Sequence, residues 1–177
     1  DYKATSVIGW IKGTEKPYRY IVISAHYDHE GVKNGIIYNG ADDNASGVSG
    51  VLELARMFSQ NKTVEKANYV FALFSGEEDG LIGSKKLAEI VKKKYPNVVA
   101  MLNMDMIGRM RGGEIAIGGV DSAHGFADAL KPMFIESGMT VYADPSGRGP
   151  SDHASFYGAG VPVLFFFSGV HDVYHKP

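Results

Sequence analysis

Continuous apolar stretches, each long enough for one buried strand, are the feature of this sequence that most restricts its fold. The long ones cover residues 18–25 (YRYIVISA), 67–75 (ANYVFALFS), 97–105 (NVVAMLNMD) and 161–169 (VPVLFFFSG). Shorter stretches at residues 6–13 and 113–119 are also predicted to be strands. Strands that are apolar at nearly every position are typical of parallel sheets with helices on both faces. The fold therefore has to supply helices for two faces of a sheet.

Helical patterns lie between these strands. A helix beginning near Asn44 is predicted from the i, i+3, i+4, i+7 spacing of Val48, Val51, Leu52, Ala55 and Phe58. Residues 81–95 predict a second helix that ends before Pro96, and residues 122–136 a third that ends before Gly138. Alternating strands and helices predict an α/β sandwich around a largely parallel sheet.

Composition excludes several classes of partner and site. A chain of 177 residues is long enough for one domain with a sizeable core. Its formal net charge of −2 gives no basic surface for nucleic acid. No apolar run approaches the ~20 residues that a membrane span needs. Because the chain has no cysteine, any metal site has to use His, Asp and Glu.

Acids and histidines follow each of the long apolar strands. In chain order they are His26, Asp28, Glu77, Glu78, Asp105, His171, Asp172 and His175. The carboxyl ends of parallel strands form the ligand crevice of α/β sheets. The repeated pattern therefore predicts a cluster of carboxylates and imidazoles at one edge of the sheet.

The first of these segments, AHYDHEG, allows more than one interpretation. His26 by itself is accounted for by an ordinary hydrogen bond at the start of a loop. Asp28 lies two residues further on and faces the same way on an extended chain. Asp28 can then accept the second ring N–H of His26 and leave the other nitrogen for a metal. His29 faces the opposite way and is expected to be a surface or loop residue.

Paired acids occur at two further places. Helix capping accounts for Asn44 or for one acid, but not for both Asp42 and Asp43. An acid that bridges two cations would explain the excess negative charge. Glu77 and Glu78 form either a solvated acidic turn, or a metal ligand beside a general base that faces the substrate.

Other catalytic arrangements find less support. The Gly-x-Ser-x-Gly turn of serine hydrolases does not occur, and no phosphate-binding glycine motif follows a strand.

Asp105 follows an apolar strand, where an unpaired carboxylate is costly to bury. A set of His, Asp and Glu without Cys favours a hydrolytic site with two metal ions.

Six segments carry a family resemblance that covers nearly the whole chain. They are SAHYDHEG, NGADDNASG, FSGEEDGLIGS, NMDMIGR, SDHASF and VHDVYHKP. Their residues and order resemble the co-catalytic di-zinc aminopeptidases, a group related to glutamate carboxypeptidase, transferrin-receptor-like and glutaminyl cyclase domains. The resemblance implies a three-layer α/β sandwich of the phosphorylase/hydrolase type with a mixed, largely parallel sheet. It also implies one zinc-peptidase domain over residues 1–177, the core of a longer chain that carries additional terminal elements.

The resemblance assigns two Zn²⁺ ions to five residues. One zinc is held by His26 and Asp105, the other by Glu78 and His175, and Asp43 bridges them. It also implies a cis peptide bond after Asp43.

Catalytic roles follow from the same resemblance. Glu77 matches the general base, Asp28 the acid behind a histidine ligand, and Tyr174 a donor to the tetrahedral oxyanion. Possible substrate-pocket residues, for which a structural role is the alternative, are Arg148, Asp152, His153 and Phe156.

The implied activity is hydrolysis of N-terminal residues from peptides by a metal-bound water, with Glu77 as base. The resemblance also implies a secreted, periplasmic or cell-envelope location. A zinc carboxypeptidase remains an alternative, since Arg109, Arg111 or Arg148 could bind a substrate carboxylate. A glutaminyl cyclase and a catalytically inactive interaction domain are the others.

Overall fold

Nine strands and four helices are present in the structure, a computed structural model that describes residue 3 and residues 5–177. The strands are β1 (Val7–Ile11), β2 (Tyr20–His26), β3 (Gly31–Lys33), β4 (Ile36–Tyr38), β5 (Asn68–Phe74), β6 (Val98–Met104), β7 (Glu114–Gly118), β8 (Thr140–Asp144) and β9 (Val163–Phe167). The helices are α1 (Gly47–Gln60), α2 (Ile82–Lys94), α3 (Phe126–Ser137) and α4 (His153–Gly158). A distorted helical turn over Ala41–Ser46 leads into α1.

The central sheet has seven strands in the order β1-β5-β2-β6-β9-β7-β8. Neighbours among β5, β2, β6 and β9 run parallel, as do β7 and β8. β1 is antiparallel to β5, and β7 is antiparallel to β9. β3 and β4 form a separate hairpin. The predicted mixed, largely parallel sheet is therefore confirmed.

Alternating residues of the central strands face two helical layers. Val22 of β2 belongs to a core cluster with Val91 of α2 and Phe156 of α4. The next residue, Ile23, belongs to a second cluster with Val51 of α1. The three-layer sandwich follows from this alternation, because successive side chains of a strand point to opposite faces. Among the described residues, no helix is long and apolar enough to span a membrane.

Differences from the sequence predictions fall on short or irregular segments. Helix α1 begins at Gly47, since Asn44 has the non-helical angles φ −135° and ψ 40°. Helix α3 begins at Phe126, after Gly125 with φ 84°. The hairpin β3–β4, strand β8 and helix α4 were not predicted. The hairpin and β8 are largely exposed and α4 has six residues, so none carries a long apolar pattern.

Phe156 is the residue of α4 that belongs to the core cluster between α2, α4 and the sheet. Its side chain is fully buried, and its ring centroid lies 6.2 Å from that of Phe74. We expect Phe156→Ala to lower the free energy of unfolding by about 3–5 kcal/mol, measured by chemical denaturation. Met133→Ala, at an exposed position of α3, should change it by no more than about 0.5 kcal/mol. Equal losses in the two variants would contradict this packing.

Candidate metal centre

The acids and histidines that follow the strands lie together at one edge of the sheet. His26 is the last residue of β2 and lies beside Phe74, the last residue of β5. Glu77 and Glu78 occupy the loop after β5, and Asp105 directly follows β6. Because these strands are parallel, their carboxyl ends bring the side chains to the same place.

Asp43 lies between two groups of potential ligands. Its Oδ1 is 3.3 Å from His26 Nε2, which is also 3.3 Å from Asp105 Oδ1. Its Oδ2 is 2.9 Å from His175 Nε2, which lies 3.5 Å from Glu78 Oε2. One carboxylate thus presents an oxygen to each group, which is the arrangement that a bridging ligand requires.

Asn44 fixes the position of Asp43 relative to β6. The peptide bond between Asp43 and Asn44 is cis. The Asn44 side-chain amide donates to the carbonyl of Met104 at 3.0 Å. Its Oδ1 accepts the backbone N–H groups of Gly47 at 2.9 Å and Met106 at 3.2 Å. The buried amide therefore ties the turn before α1 to the end of β6.

Asp28 makes a different contact from the one predicted. Its backbone carbonyl lies 3.1 Å from His26 Nδ1, while its carboxylate is 3.8 Å away. The carboxylate instead accepts the backbone N–H groups of Glu77 at 3.2 Å and Glu78 at 3.3 Å. The carbonyl can hold the ring of His26 with Nε2 directed at the acids, and the carboxylate positions the loop after β5.

Burial and mutual repulsion shift the protonation of the cluster. Burial raises the pKa of Glu77 to about 8. The nearby His26 acts to lower this pKa, whereas the negative charges of Asp152 and Asp105 act to raise it. Burial also raises the pKa of Glu78, and the carboxylate of Asp43 adds to that rise. For His26, burial lowers the pKa, but hydrogen bonds to Asp105 and Asp43 outweigh it and raise the pKa to about 12. The site therefore favours added positive charge.

The donor atoms fit a zinc site. In the described chain, the salt bridges of Asp28, Asp43, Glu78 and Asp105 are all to histidines, and none is to Lys or Arg. The buried Glu78 Oε1 also has no hydrogen-bond partner. Imidazole nitrogens and carboxylate oxygens are ordinary zinc ligands. Cations at this position would supply the missing charge and a partner for that oxygen.

His29 is the member of the cluster that sequence reasoning missed. It lies in a loop as expected, but its side chain is only 11% exposed. Its ring nitrogen is grouped with ligand atoms of Asp43, Glu78 and His175, all within 4.8 Å of one another. The chain leaves β2 after His26, so the alternation of side chains on a strand does not extend to His29.

A cavity of about 450 Å³ opens beside the cluster, and its wall includes Asp42, Arg109, His171, Tyr174 and His175. The ring of Tyr174 stacks on that of His175, with centroids 3.8 Å apart. Burial, together with the carboxylates of Asp43 and Glu78, raises the pKa of Tyr174 to about 12. Its hydroxyl therefore remains a hydrogen-bond donor at neutral pH.

One wall of the cavity is a chain of polar contacts that the sequence did not indicate. Asp42 Oδ1 accepts the backbone N–H of Gly108 at 2.8 Å, and its Oδ2 lies 3.1 Å from His171 Nε2. The other nitrogen of His171 is 3.3 Å from the guanidinium of Arg109. Adjacent acids thus have separate tasks, since Asp43 faces the cluster and Asp42 holds this wall.

In the described chain, none of the four residues considered for the substrate pocket lines this cavity, and their role in substrate binding stays a prediction. Asp152 and His153 are buried, and the ring of His153 stacks on Phe165 at 4.1 Å between centroids. Phe156 lies in the core, and Arg148 is exposed and does not line this cavity in the described chain. Helix α4 packs on the sheet through His153 and Phe156.

The sequence and the fold of the chain both resemble those of known proteins. The model of peptidase family M28 matches residues 6–177. The chain belongs to this family. Among the relatives of this M28 chain is a probable zinc metalloprotease from Pyrenophora teres f. teres (strain 0-1). The two are 44% identical over 111 residues, which cover 60% of the M28 chain and 23% of the relative.

Solved structures of other proteins share the fold of this chain. A zinc aminopeptidase from Bacillus subtilis has a TM-score of 0.80 and 27% identity, covering 97% of the M28 chain and 43% of that protein. An Acidobacteriales bacterium glutaminyl cyclase has a TM-score of 0.73 and 22% identity, covering 98% and 60% respectively. The second similarity concerns the fold alone. The M28 chain spans less than half the length of the metalloprotease and of the aminopeptidase.

Proposed function

We propose that this M28 domain is an aminopeptidase that uses two zinc ions to hydrolyse the N-terminal peptide bond of its substrates. The observation that carries the proposal is the position of Asp43, with Oδ1 beside His26 and Oδ2 beside His175. The names of its relatives, a zinc metalloprotease and a zinc aminopeptidase, support both the metal and the reaction.

The ligand sets follow from the two groups of donor atoms. His26, Asp43 and Asp105 would hold one ion, and Asp43, Glu78 and His175 the other. Zinc, when bound, supplies Lewis acidity that polarises the scissile carbonyl and makes a water molecule more acidic.

Glu77 is the proposed general base. Its backbone N–H donates a hydrogen bond to the carboxylate of Asp28. This bond fixes the backbone of Glu77 next to the proposed ligand Glu78. In the proposed reaction Glu77 takes a proton from the attacking water and returns it to the leaving amine. Tyr174 lies on the cavity wall against His175, where its hydroxyl can donate a hydrogen bond to the oxyanion.

A carboxypeptidase is the second candidate, because of one observation. Arg109 lines the cavity, and a guanidinium is well suited to bind the carboxylate of a substrate. Arg111 and Arg148 do not line that cavity in the described chain. The contact of Arg109 with His171 also has a structural explanation, since it continues the wall held by Asp42.

A substrate panel with metal removal and return tests the proposed function. We expect a chelator to lower the cleavage of aminoacyl-nitroanilides by at least about 100-fold, because both the polarising cation and its water are lost. Added zinc should restore the cleavage, and N-acetylated peptides should not be hydrolysed. Release of C-terminal residues from blocked peptides would replace the aminopeptidase with the carboxypeptidase. A zinc-loaded protein that cleaves neither substrate class would contradict both.

A further inference from the structure

His29 lies directly against the half of the centre that contains Glu78 and His175. Its Nδ1 is 2.8 Å from Glu78 Oε1 and 3.8 Å from Asp43 Oδ2. Its ring is edge-on to that of His175, with centroids 5.5 Å apart. The imidazole is therefore as close to the second group of ligands as the members of that group are to one another.

The short contact between His29 and Glu78 is not a hydrogen bond. His29 Nδ1 and Glu78 Oε1 are both buried, and neither has a hydrogen-bond partner of acceptable geometry. Buried polar atoms in folded proteins are nearly always paired, so two such atoms beside each other call for an explanation. A cation bound by both atoms explains their proximity and their lack of other partners.

The two halves of the centre then differ in the number of available ligands. The group around His26 contains three residues, whereas the group around Glu78 contains four, which are His29, Asp43, Glu78 and His175. Zinc sites with four protein ligands are closed, whereas catalytic sites have three and keep a position open for water or substrate. The group around Glu78 is therefore expected to form a closed site, and the group around His26 a site with an open position.

We propose that His29 is a fourth protein ligand of the zinc held by Asp43, Glu78 and His175. With four protein ligands that ion would be enclosed by protein, whereas the group of His26, Asp43 and Asp105 would leave a position open for water or substrate. The proposal rests on the two-zinc function proposed above and assigns different tasks to the two ions.

The absence of cysteine from this chain allows a direct test. A His29→Cys variant carries a single thiol, and Nδ1 is the ring nitrogen nearer the backbone, so a sulfur at residue 29 comes close to the same point. Thiolate is a good ligand for Zn²⁺. We expect the variant loaded with Co²⁺ to show a thiolate-to-cobalt charge-transfer band that the unsubstituted protein lacks. The matched control is His124→Cys at an exposed position, which should show no such band.

Zinc affinity gives a second, independent measurement. We expect His29→Ala to raise the Kd of one zinc ion by more than about 100-fold, since losing only an orienting partner costs about 10–100-fold. The other ion should keep its affinity, and His124→Ala should bind both ions normally. His29→Gln provides the same comparison if the alanine variant does not fold, as judged by circular dichroism.

The outcomes separate this inference from the proposed function. An unsubstituted protein that binds fewer than two zinc ions overturns the two-zinc function, and this inference with it. Two bound zinc ions, with no charge-transfer band in His29→Cys and an affinity loss within about 100-fold in His29→Ala, overturn only the assignment of His29 as a ligand.

Discussion

Asp43→Ala is expected to weaken the binding of both zinc ions and to abolish peptide hydrolysis. Each group of ligand atoms loses one oxygen, because Oδ1 faces His26 and Oδ2 faces His175. Loss of the shared carboxylate would also remove the negative charge that offsets the electrostatic repulsion between two cations. Metal analysis after dialysis should find less than about one zinc per chain, and aminoacyl-nitroanilide turnover should fall by at least about 1,000-fold.

The adjacent acid provides the matched comparison. Asp42 binds the backbone N–H of Gly108 and faces His171, outside both ligand groups. Asp42→Asn should therefore keep two zinc ions per chain, whatever its effect on turnover. Asp121→Ala, at an exposed site, should keep both the metal and the activity. Two zinc ions retained in Asp43→Ala would show that this carboxylate does not bridge them.

Glu77→Gln is expected to separate turnover from metal binding. The substitution keeps the size of the side chain but removes its ability to accept a proton. General bases contribute about 10²–10⁴-fold to the rate, so kcat should fall by that factor. Zinc content should remain at the level of the unsubstituted protein, because Glu77 belongs to neither ligand group.

Measurements of kcat and zinc content on the same preparations check this expectation. Glu89→Gln on the exposed face of α2 is the control and should leave both quantities unchanged. A kcat within about threefold of the unsubstituted value would remove Glu77 as the base. Loss of zinc in Glu77→Gln would show instead that this carboxylate takes part in metal binding.

Most of the fold could be predicted because the long strands are apolar on both faces. β5, β6 and β9 lie within the predicted segments, and β2 extends one residue beyond its segment, to His26. Their parallel pairing follows from the helices between them. The strands of the exposed hairpin have three residues each and β8 has five, so none of them carries the long apolar run on which the strand predictions rest.

The site was partly predictable for a related reason. Acids directly after buried strands are costly unless they bind something, and the topology of a parallel sheet collects them at one edge. His29 was missed because its position depends on the turn after β2. Phe156 and Asp152 are both buried, and their assignment to the substrate pocket stays a prediction.

The sequence alone determined the α/β class, the strand-end cluster and its oxygen and nitrogen donor chemistry. These depend on residue order and on the absence of cysteine, which no packing can alter. The tertiary structure decided the rest. It placed one oxygen of Asp43 beside each group of ligands. It also directed the carboxylate of Asp28 to the backbone N–H of Glu77 and brought His29 into contact with Glu78. Such contacts join segments distant in the chain, and their geometry is set by loop conformation and core packing rather than by local pattern.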